Sequence, residues 1–248
     1  MPQIIRLQTL DSTNRYLKER ADRENWEEGT VVITEHQTSG RGQQGNLWES
    51  ESGKNLLFSL LIGPDFLSIQ QHFLLSKIVA LAVRESILAM DTTLSCSDFF
   101  VKWPNDIYYH NKKMAGILIE NEITNDKITR SVIGIGINVN QEKFRSNAPN
   151  PISLKQIIQK ETDLNQLLNS FLQRFQYWYE NLKNGKTEDI RRTYFQSLYN
   201  KEGIRFYEDK NGRFAASIQS VGDNGLLHLL TDGGEERVYA FKEVRQVN

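Results

Sequence analysis

The sequence predicts an α+β fold, in which helices pack on a mixed, largely antiparallel sheet and a small β domain follows towards the C-terminus. Apolar segments between residues 99 and 138 are separated by short polar breaks, and short turns between strands imply an antiparallel meander. Residues 163–199 have helical periodicity, and after residue 204 short strands alternate with glycine-containing turns. We therefore expect a main domain over residues 1–200 and a small domain over residues 201–248.

Helices and strands alternate in the first part of the chain. Ser12 and Thr13 precede a run of good helix formers, so their hydroxyls either cap a helix or hold a polar ligand. The β-branched residues 29–35 predict a strand, and the continuous apolar residues 55–62 predict a strand buried on both faces. Residues 69–90 are too densely apolar for a helix with one buried side, so we expect this helix to pack deep against the sheet.

The rest of the chain predicts a meander, then helices, then the small domain. The expected elements are meander strands at 99–103, 107–109, 114–122 and 128–138, a loop at 147–151, and helices at 152–159, 164–182 and 188–199. Strands near 204–208, 214–221, 226–230 and 237–240 suit a small SH3-like β-barrel. A unit of about 45 residues has marginal stability alone, so we expect it to dock on the main domain.

Composition and charge narrow the class of protein. A charged fraction of 25% and a hydrophobic fraction of 39% are typical of a soluble globular chain, and a net charge of −1 favours neither nucleic acid nor an anionic membrane as a partner. Cys96 is the single cysteine, which excludes an internal disulfide and fits the cytoplasm. The opening residues do not resemble a signal peptide, and the four scattered histidines predict no transition-metal site.

A glycine-rich loop, Ser39–Trp48, connects two of the predicted strands. Gly40, Gly42 and Gly45 let its backbone N–H groups approach an anion closely, and Arg41 adds a charged donor. Such a loop indicates either a phosphate or carboxylate site or merely a flexible connector.

Further stretches also admit two interpretations. Lys102 ends a strand beside Trp103-Pro104, where it either stabilises charge developing on phosphate oxygens or is a surface lysine at a turn. Gly116 follows two lysines and leaves room on its strand for a ligand. Gly134 and Gly136 alternate on a second strand and leave one of its faces open to a flat ligand.

Taken in order, these stretches resemble the biotin protein ligases, also called biotin–acetyl-CoA-carboxylase ligases. The resemblance extends over residues 5–160 and is carried by Ser12-Thr13-Asn14, Gln37, Gly40-Arg41-Gly42, Trp48, Lys-Trp-Pro-Asn-Asp at 102–106, Lys113-Met-Ala-Gly-Ile-Leu-Ile-Glu120 and Gly-Ile-Asn at 136–138. It implies an ATP-dependent ligase that adenylates biotin to biotinyl-5′-AMP and transfers biotin to a specific lysine of a biotin carboxyl carrier protein. Such chemistry needs cations and backbone donors around the phosphate and no covalent enzyme nucleophile.

The resemblance also implies roles for single residues. Lys102 and Arg41 would be catalytic, by stabilising the reacting carboxylate–phosphate centre. The implied biotin-binding residues are Ser12, Thr13, Asn14, Gln37, Gly40, Arg41, Gly42, Gln43, Lys102 and Gly116. The implied ATP- or adenylate-binding residues are Arg41, Trp48, Lys102, Lys113 and Asn138. ATP and biotin would be substrates, and Mg²⁺ would be held mainly by the ATP phosphates, without a protein metal site.

The chain departs from the family pattern in two places. Gln43 and Asn46 stand where many members carry arginines, so weaker retention of the adenylate is expected. Some members have a DNA-binding winged helix, which needs on the order of 60 residues. Ten residues precede Asp11, so we expect a monofunctional enzyme that does not bind DNA. Pairing through sheet edges would allow a homodimer.

Two other functions compete with biotin ligation. A lipoate or octanoate protein ligase would bind a flexible acyl chain, for which the polar set of Ser12, Thr13, Asn14 and Gln37 would have no purpose. A non-enzymatic adaptor would use the small C-terminal domain to bind peptide or nucleic acid. The near-zero net charge argues against nucleic acid.

Overall fold

The computed structural model describes residues 3–145 and 150–247, which form two sheets with helices packed on the larger one. The larger sheet contains β1 Ile4–Leu10, β2 Val31–Gln37, β3 Leu56–Ile62, β4 Phe99–Lys102, β5 Asp106–Tyr109, β6 Lys112–Thr124 and β7 Lys127–Ile137. The helices are α1 Thr13–Arg20, α2 His72–Leu88, α3 Leu154–Ile158, α4 Leu164–Lys183 and α5 Thr187–Gln196. The smaller sheet contains β8 Arg205–Asp209, β9 Gly212–Val221, β10 Leu227–Thr231, β11 Glu236–Tyr239 and β12 Arg245–Val247.

The larger sheet has the strand order β1-β2-β3-β7-β6-β5-β4. β1 and β2 are parallel and joined through α1, whereas the other neighbouring strands described are antiparallel. The smaller sheet is antiparallel, in the order β11-β10-β9-β8-β12. The predicted α+β class, its mixed sheet and its small C-terminal β domain are therefore confirmed. β1 and β12 have no counterpart among the predicted strands.

Helices cover both faces of the larger sheet. Alternate residues of β2 belong to different apolar clusters, Val31 and Ile33 with α2 and α4, and Val32 with Leu17 of α1. Because neighbouring strand residues point to opposite faces, α1 lies on one face and the other helices lie on the second. α2 buries twelve of its seventeen residues, which confirms the deep position expected for it.

A turn of the small domain, residues 222–225, docks on the main domain. Lys77 of α2 is 1% exposed, and its Nζ donates to Val221 O and Asp223 Oδ1, both at 2.8 Å. Phe73 N donates to Asp223 O at 2.9 Å, and Trp103 Nε1 donates to Gly225 O at 3.0 Å. The small domain is thus attached both to α2 and to the loop that follows Lys102, while its boundary at residues 200–201 stays a prediction.

The loop expected at residues 147–151 lies largely outside the described residues. Within residues 3–145 and 150–247, none of the helices combines the length and the apolar character needed to cross a membrane.

Candidate functional site

A cleft of about 1320 Å³ lies between the larger sheet, the glycine-rich loop and the small domain. The predicted site residues that line it are Ser12, Thr13, Asn14, Gln37, Arg41, Gly42, Gln43, Trp48, Lys102, Lys113 and Gly116. Gly40 and Asn138 do not belong to the described lining. The carbonyl of Gly40 accepts a hydrogen bond from Trp48 N at 2.9 Å. Asn138 is buried beside the cleft, and its backbone bonds Met114 and Leu154. The fold therefore gathers most of the predicted site.

The floor of the cleft is polar and buried at the start of α1. Ser12, Thr13 and Asn14 are 3–4% exposed. Ser12 occupies the N-cap position, yet its side chain makes no capping hydrogen bond among the described residues. Thr13 N donates to Gln37 Oε1 at 2.8 Å, and Thr13 Oγ1 lies 3.2 Å from the same oxygen. The Ser12 hydroxyl does not cap the helix here, which favours the alternative that it holds a polar ligand.

Two side chains outside the predicted site make hydrogen bonds to the residues of this floor. Ser59 of β3 is fully buried, with its Oγ 2.8 Å from Thr13 Oγ1 and 2.6 Å from Asn14 Oδ1. Asn14 Nδ2 donates to Glu120 Oε2 at 2.9 Å and to Leu118 O at 3.2 Å. The sequence carries no periodic signal for Ser59, because a serine inside an apolar strand reads as core.

The glycine-rich loop forms a short hairpin that carries Trp48 over the sheet. Arg41 and Leu47 form an isolated antiparallel bridge, and Gly42 N donates to Asn46 O at 2.7 Å. The indole of Trp48 covers two strand glycines. A Cβ built at Gly116 would fall 2.9 Å from the ring, and one at Gly136 would fall 2.5 Å from it. Gly134 instead makes room for the Asn14 side chain. The glycines expected to admit a flat ligand thus first admit two side chains of this chain.

Two lysines and one carboxylate form a charged wall of the cleft. Lys102 Nζ lies 3.5 Å from Tyr108 Oη, and 4.6 Å and 5.6 Å from the ring centres of Tyr108 and Tyr199. Burial lowers the pKa of Lys102, Asp106 opposes that shift and Lys113 adds to it. Lys113 Nζ lies 2.7 Å from Asp106 Oδ1, where burial raises the pKa of the carboxyl and Lys113 acts against it. This wall can therefore stabilise negative charge that enters the cleft.

The small domain closes the remaining side of the cleft, which the sequence analysis did not predict. Its lining residues include Tyr207, Asp209, Arg237, Tyr239 and Lys242. Across the described ranges, no three histidine, cysteine, aspartate or glutamate side chains converge as metal ligands.

Comparisons with known proteins agree with this arrangement. The sequence profile of the biotin/lipoate A/B protein ligase family matches residues 6–138. A bifunctional ligase/repressor of Bacillus spizizenii is 29% identical over 242 residues, which cover 96% of this chain and 72% of the relative. A biotin–[acetyl-CoA-carboxylase] ligase of Mycobacterium tuberculosis is 33% identical over 130 residues, 52% of this chain and 47% of the relative. A biotin protein ligase of Aquifex aeolicus, solved with biotin and ATP, matches with a TM-score of 0.80 and 27% identity over 100% of both chains.

Proposed function

The chain belongs to the biotin/lipoate A/B protein ligase family and is a biotin protein ligase, and we propose that the cleft residues described above carry out its two steps. In the first step the biotin carboxylate attacks the α-phosphorus of ATP, the bond to the β-phosphate breaks, and biotinyl-5′-AMP and pyrophosphate form. In the second step a neutral lysine of the carrier protein attacks the acyl carbon. AMP leaves with the electron pair of the broken C–O bond, and the new amide nitrogen loses a proton.

One observation carries the choice of biotin over a lipoyl or octanoyl group. Gln37 Oε1 is taken by Thr13 N at 2.8 Å, so the Gln37 amide has its NH₂ group left to donate, beside Thr13 Oγ1 in the buried floor. Biotin's ureido ring presents both N–H donors and a carbonyl acceptor. A dithiolane or an alkyl chain would leave these buried polar groups without partners, which costs affinity steeply.

The charged wall suits the adenylate. Lys102 and Lys113 stand at the cleft, and we assign Lys102 and Arg41 to stabilising the carboxylate–phosphate centre as charge moves between its oxygens. Backbone N–H groups at Arg41 and Gly42 would bind the same anion. Lys113 would contact ATP phosphates, and Trp48 would cover the nucleotide side of the cleft. We also assign Asn138 to the adenylate, as a buried residue outside the described lining of the cleft.

Magnesium would enter with the ATP phosphates. We propose that these phosphates hold it, and we assign it no step. The acceptor is a biotin carrier protein, and we propose the carrier domain of a biotin-dependent carboxylase. We further propose a cytoplasmic location, no nucleic-acid partner and a homodimer; the exposed Cys96 and the net charge of −1 support the first two.

Thermal unfolding with biotin, lipoate, ATP, or biotin plus ATP tests this function, since a ligand of the folded state stabilises by mass action. We expect biotin to raise Tm and biotin plus ATP to raise it further, while lipoate leaves it unchanged. A parallel assay measures pyrophosphate release and labelling of an isolated carrier domain. A Tm shift with lipoate and none with biotin would reject biotin, and the absence of pyrophosphate release with any acid would favour a binding adaptor.

A further inference from the structure

We propose that Ser59 and Glu120 are positioning residues that set the hydrogen-bond polarity of the biotin site, that is, which of its groups donate and which accept. This inference rests on the proposed function. Neither belongs to the described lining of the cleft. Both act through the side chains of Thr13 and Asn14, which do line it.

The direction of the network follows from Glu120. A carboxylate oxygen and a backbone carbonyl can only accept hydrogen bonds. Glu120 Oε2 and Leu118 O lie 2.9 Å and 3.2 Å from the same nitrogen of Asn14. Both protons of the Asn14 amide are therefore committed, and its Oδ1 must point away from them, towards Ser59.

The orientation of the Asn14 amide determines where the Ser59 hydroxyl donates its proton. Its hydroxyl has one proton, and Asn14 Oδ1, an acceptor, lies 2.6 Å from Ser59 Oγ. Unless that proton points at Asn14, two lone pairs would face each other at this distance. Ser59 Oγ shares the same proton with Thr13 Oγ1, which accepts from it at 2.8 Å.

Thr13 consequently presents a lone pair to the ligand. Its single proton is donated to Gln37 Oε1 at 3.2 Å, and its oxygen accepts from Ser59 Oγ at 2.8 Å. Because the proton is committed, the remaining capacity of Thr13 Oγ1 is to accept. Thr13 is thus fixed as the partner of a ligand N–H, and the NH₂ group of Gln37 as the partner of a ligand carbonyl.

Burial makes this polarity costly to reverse. Ser59 is 0% exposed, and Thr13 and Asn14 are 4% and 3% exposed, so water cannot replace a lost partner. Gly134 allows the close packing, because a Cβ there would collide with Asn14 Oδ1. Lys18 Nζ, 4.0 Å from Glu120 Oε1, lies at the outer end of the network.

Ser59→Ala tests the hydrogen bonds that Ser59 makes with Asn14 and Thr13. We expect the biotin KM of adenylate formation to rise roughly 10-fold or more, because buried acceptors lose their donor. The kcat at saturating biotin and the ATP KM should stay within about twofold of wild type. Selectivity for biotin over an analogue with a methylated ureido nitrogen should shrink.

Ser131→Ala is the matched control, since Ser131 is an equally buried serine of β7 whose Oγ bonds Asn121 Oδ1 at 2.7 Å. Its biotin KM should not change. An unchanged biotin KM in Ser59→Ala, or an equal rise in Ser131→Ala, would overturn the inference.

Substitutions of Glu120 test its hydrogen bond with Asn14 without a change in the core, because the Glu120 side chain is 35% exposed. Glu120→Gln keeps an oxygen that can accept from Asn14, so its biotin KM should stay close to wild type, whereas Glu120→Ala should raise it several-fold. An equal rise in both substitutions would show that the charge of Glu120 matters rather than the direction of its hydrogen bond, and no rise in either would show that Glu120 does not act on the biotin site. Either result would reject the mechanism even if Ser59→Ala does not fold. A wild-type enzyme that forms no biotinyl-5′-AMP would instead refute the proposed function.

Discussion

The indole of Trp48 lies so close to Gly136 that a Cβ at position 136 would come within 2.5 Å of Trp48 Cε2. The same ring lies over Gly116, where a Cβ would come within 2.9 Å of Cζ3. Trp48 Nε1 is buried without a hydrogen-bond partner among the described residues. β6 and β7 thus have glycines where the loop places the indole of Trp48 in the cleft. The position of the indole depends on these glycines.

Gly136→Ala should therefore displace Trp48 and weaken use of the nucleotide. Overpacking of this kind typically costs 1–3 kcal/mol, so we expect kcat/KM for ATP to fall by roughly 10- to 100-fold while the biotin Kd changes little. Steady-state adenylation and biotin titration measure the two effects. Gly63→Ala is the control, because a Cβ there meets its nearest atom at 3.6 Å. Normal ATP use by Gly136→Ala would show that the indole need not lie on that strand.

The pKa of Lys102 predicts how adenylation depends on pH. Burial lowers it below the ordinary lysine value of about 10.4. Since the ammonium is the form that stabilises phosphate oxygens, the rate should fall on the alkaline side at a lower pH than an ordinary lysine would allow. Lys102→Arg keeps the charge at high pH and should move this alkaline limb upwards, even if its maximal rate is lower. Lys102→Met should lose at least 100-fold in rate at every pH. If the alkaline fall in rate occurs at the same pH in Lys102→Arg as in wild type, it is caused by the titration of another group.

The Lys77–Asp223 contact predicts both stability and its pH dependence. The Lys77 side chain is 1% exposed and that of Asp223 17% exposed, with 2.8 Å between Nζ and Oδ1. Asp223→Asn leaves a buried ammonium without its carboxylate, so the free energy of unfolding at pH 7 should fall by about 3–5 kcal/mol. Urea unfolding measures this loss. Asp189→Asn, which removes a pair with Arg192 at an aspartate that is 57% exposed, should cost less than about 1 kcal/mol.

The same contact should weaken in acid. Burial alone would raise the pKa of Asp223, but hydrogen bonds from Arg191 and Lys77 lower it overall. Because the folded value is the lower one, this stabilisation is complete above the ordinary aspartate pKa of about 3.9 and is lost as pH falls through the folded value. Wild type should therefore lose more stability below pH ~4 than Asp223→Asn does. Parallel pH profiles of the two proteins would contradict this assignment.

Local patterns in the sequence predicted the elements whose spacing or apolar density is distinctive, and missed contacts that only the fold creates. α2 and β3 could be predicted from the sequence, because the apolar residues of α2 are dense and those of β3 are continuous. β1 mixes exposed and half-buried residues without strict alternation at a sheet edge, so its pattern is faint. Ser59 meets Asn14 across 45 positions of sequence, a contact that no local spacing encodes. Tyr199 reaches Lys102 because Leu198 pairs with Val101 of β4.

Two uncharged residues of the glycine-rich loop should limit how long the enzyme retains the adenylate. Gln43 and Asn46 both line the cleft, on the hairpin held by the bond from Gly42 N to Asn46 O. Neutral amides there supply weaker donors to a phosphate than guanidinium groups would. We expect Gln43→Arg and Asn46→Arg each to slow dissociation of biotinyl-5′-AMP by roughly 10-fold, since a hydrogen bond to a charged group contributes about 1.5–3 kcal/mol.

A chase experiment measures this directly, with labelled adenylate formed on the enzyme and released into excess unlabelled biotin and ATP. Gln219→Arg adds the same charge at an exposed site on β9, outside the described lining of the cleft, and should leave the release rate unchanged. The slowing should diminish as salt is raised, because the added charges stand at a solvent-accessible rim. If Gln43→Arg and Asn46→Arg release the adenylate as fast as Gln219→Arg does, the loop does not hold the intermediate through charge, and its retention must depend on the lysine wall and Trp48.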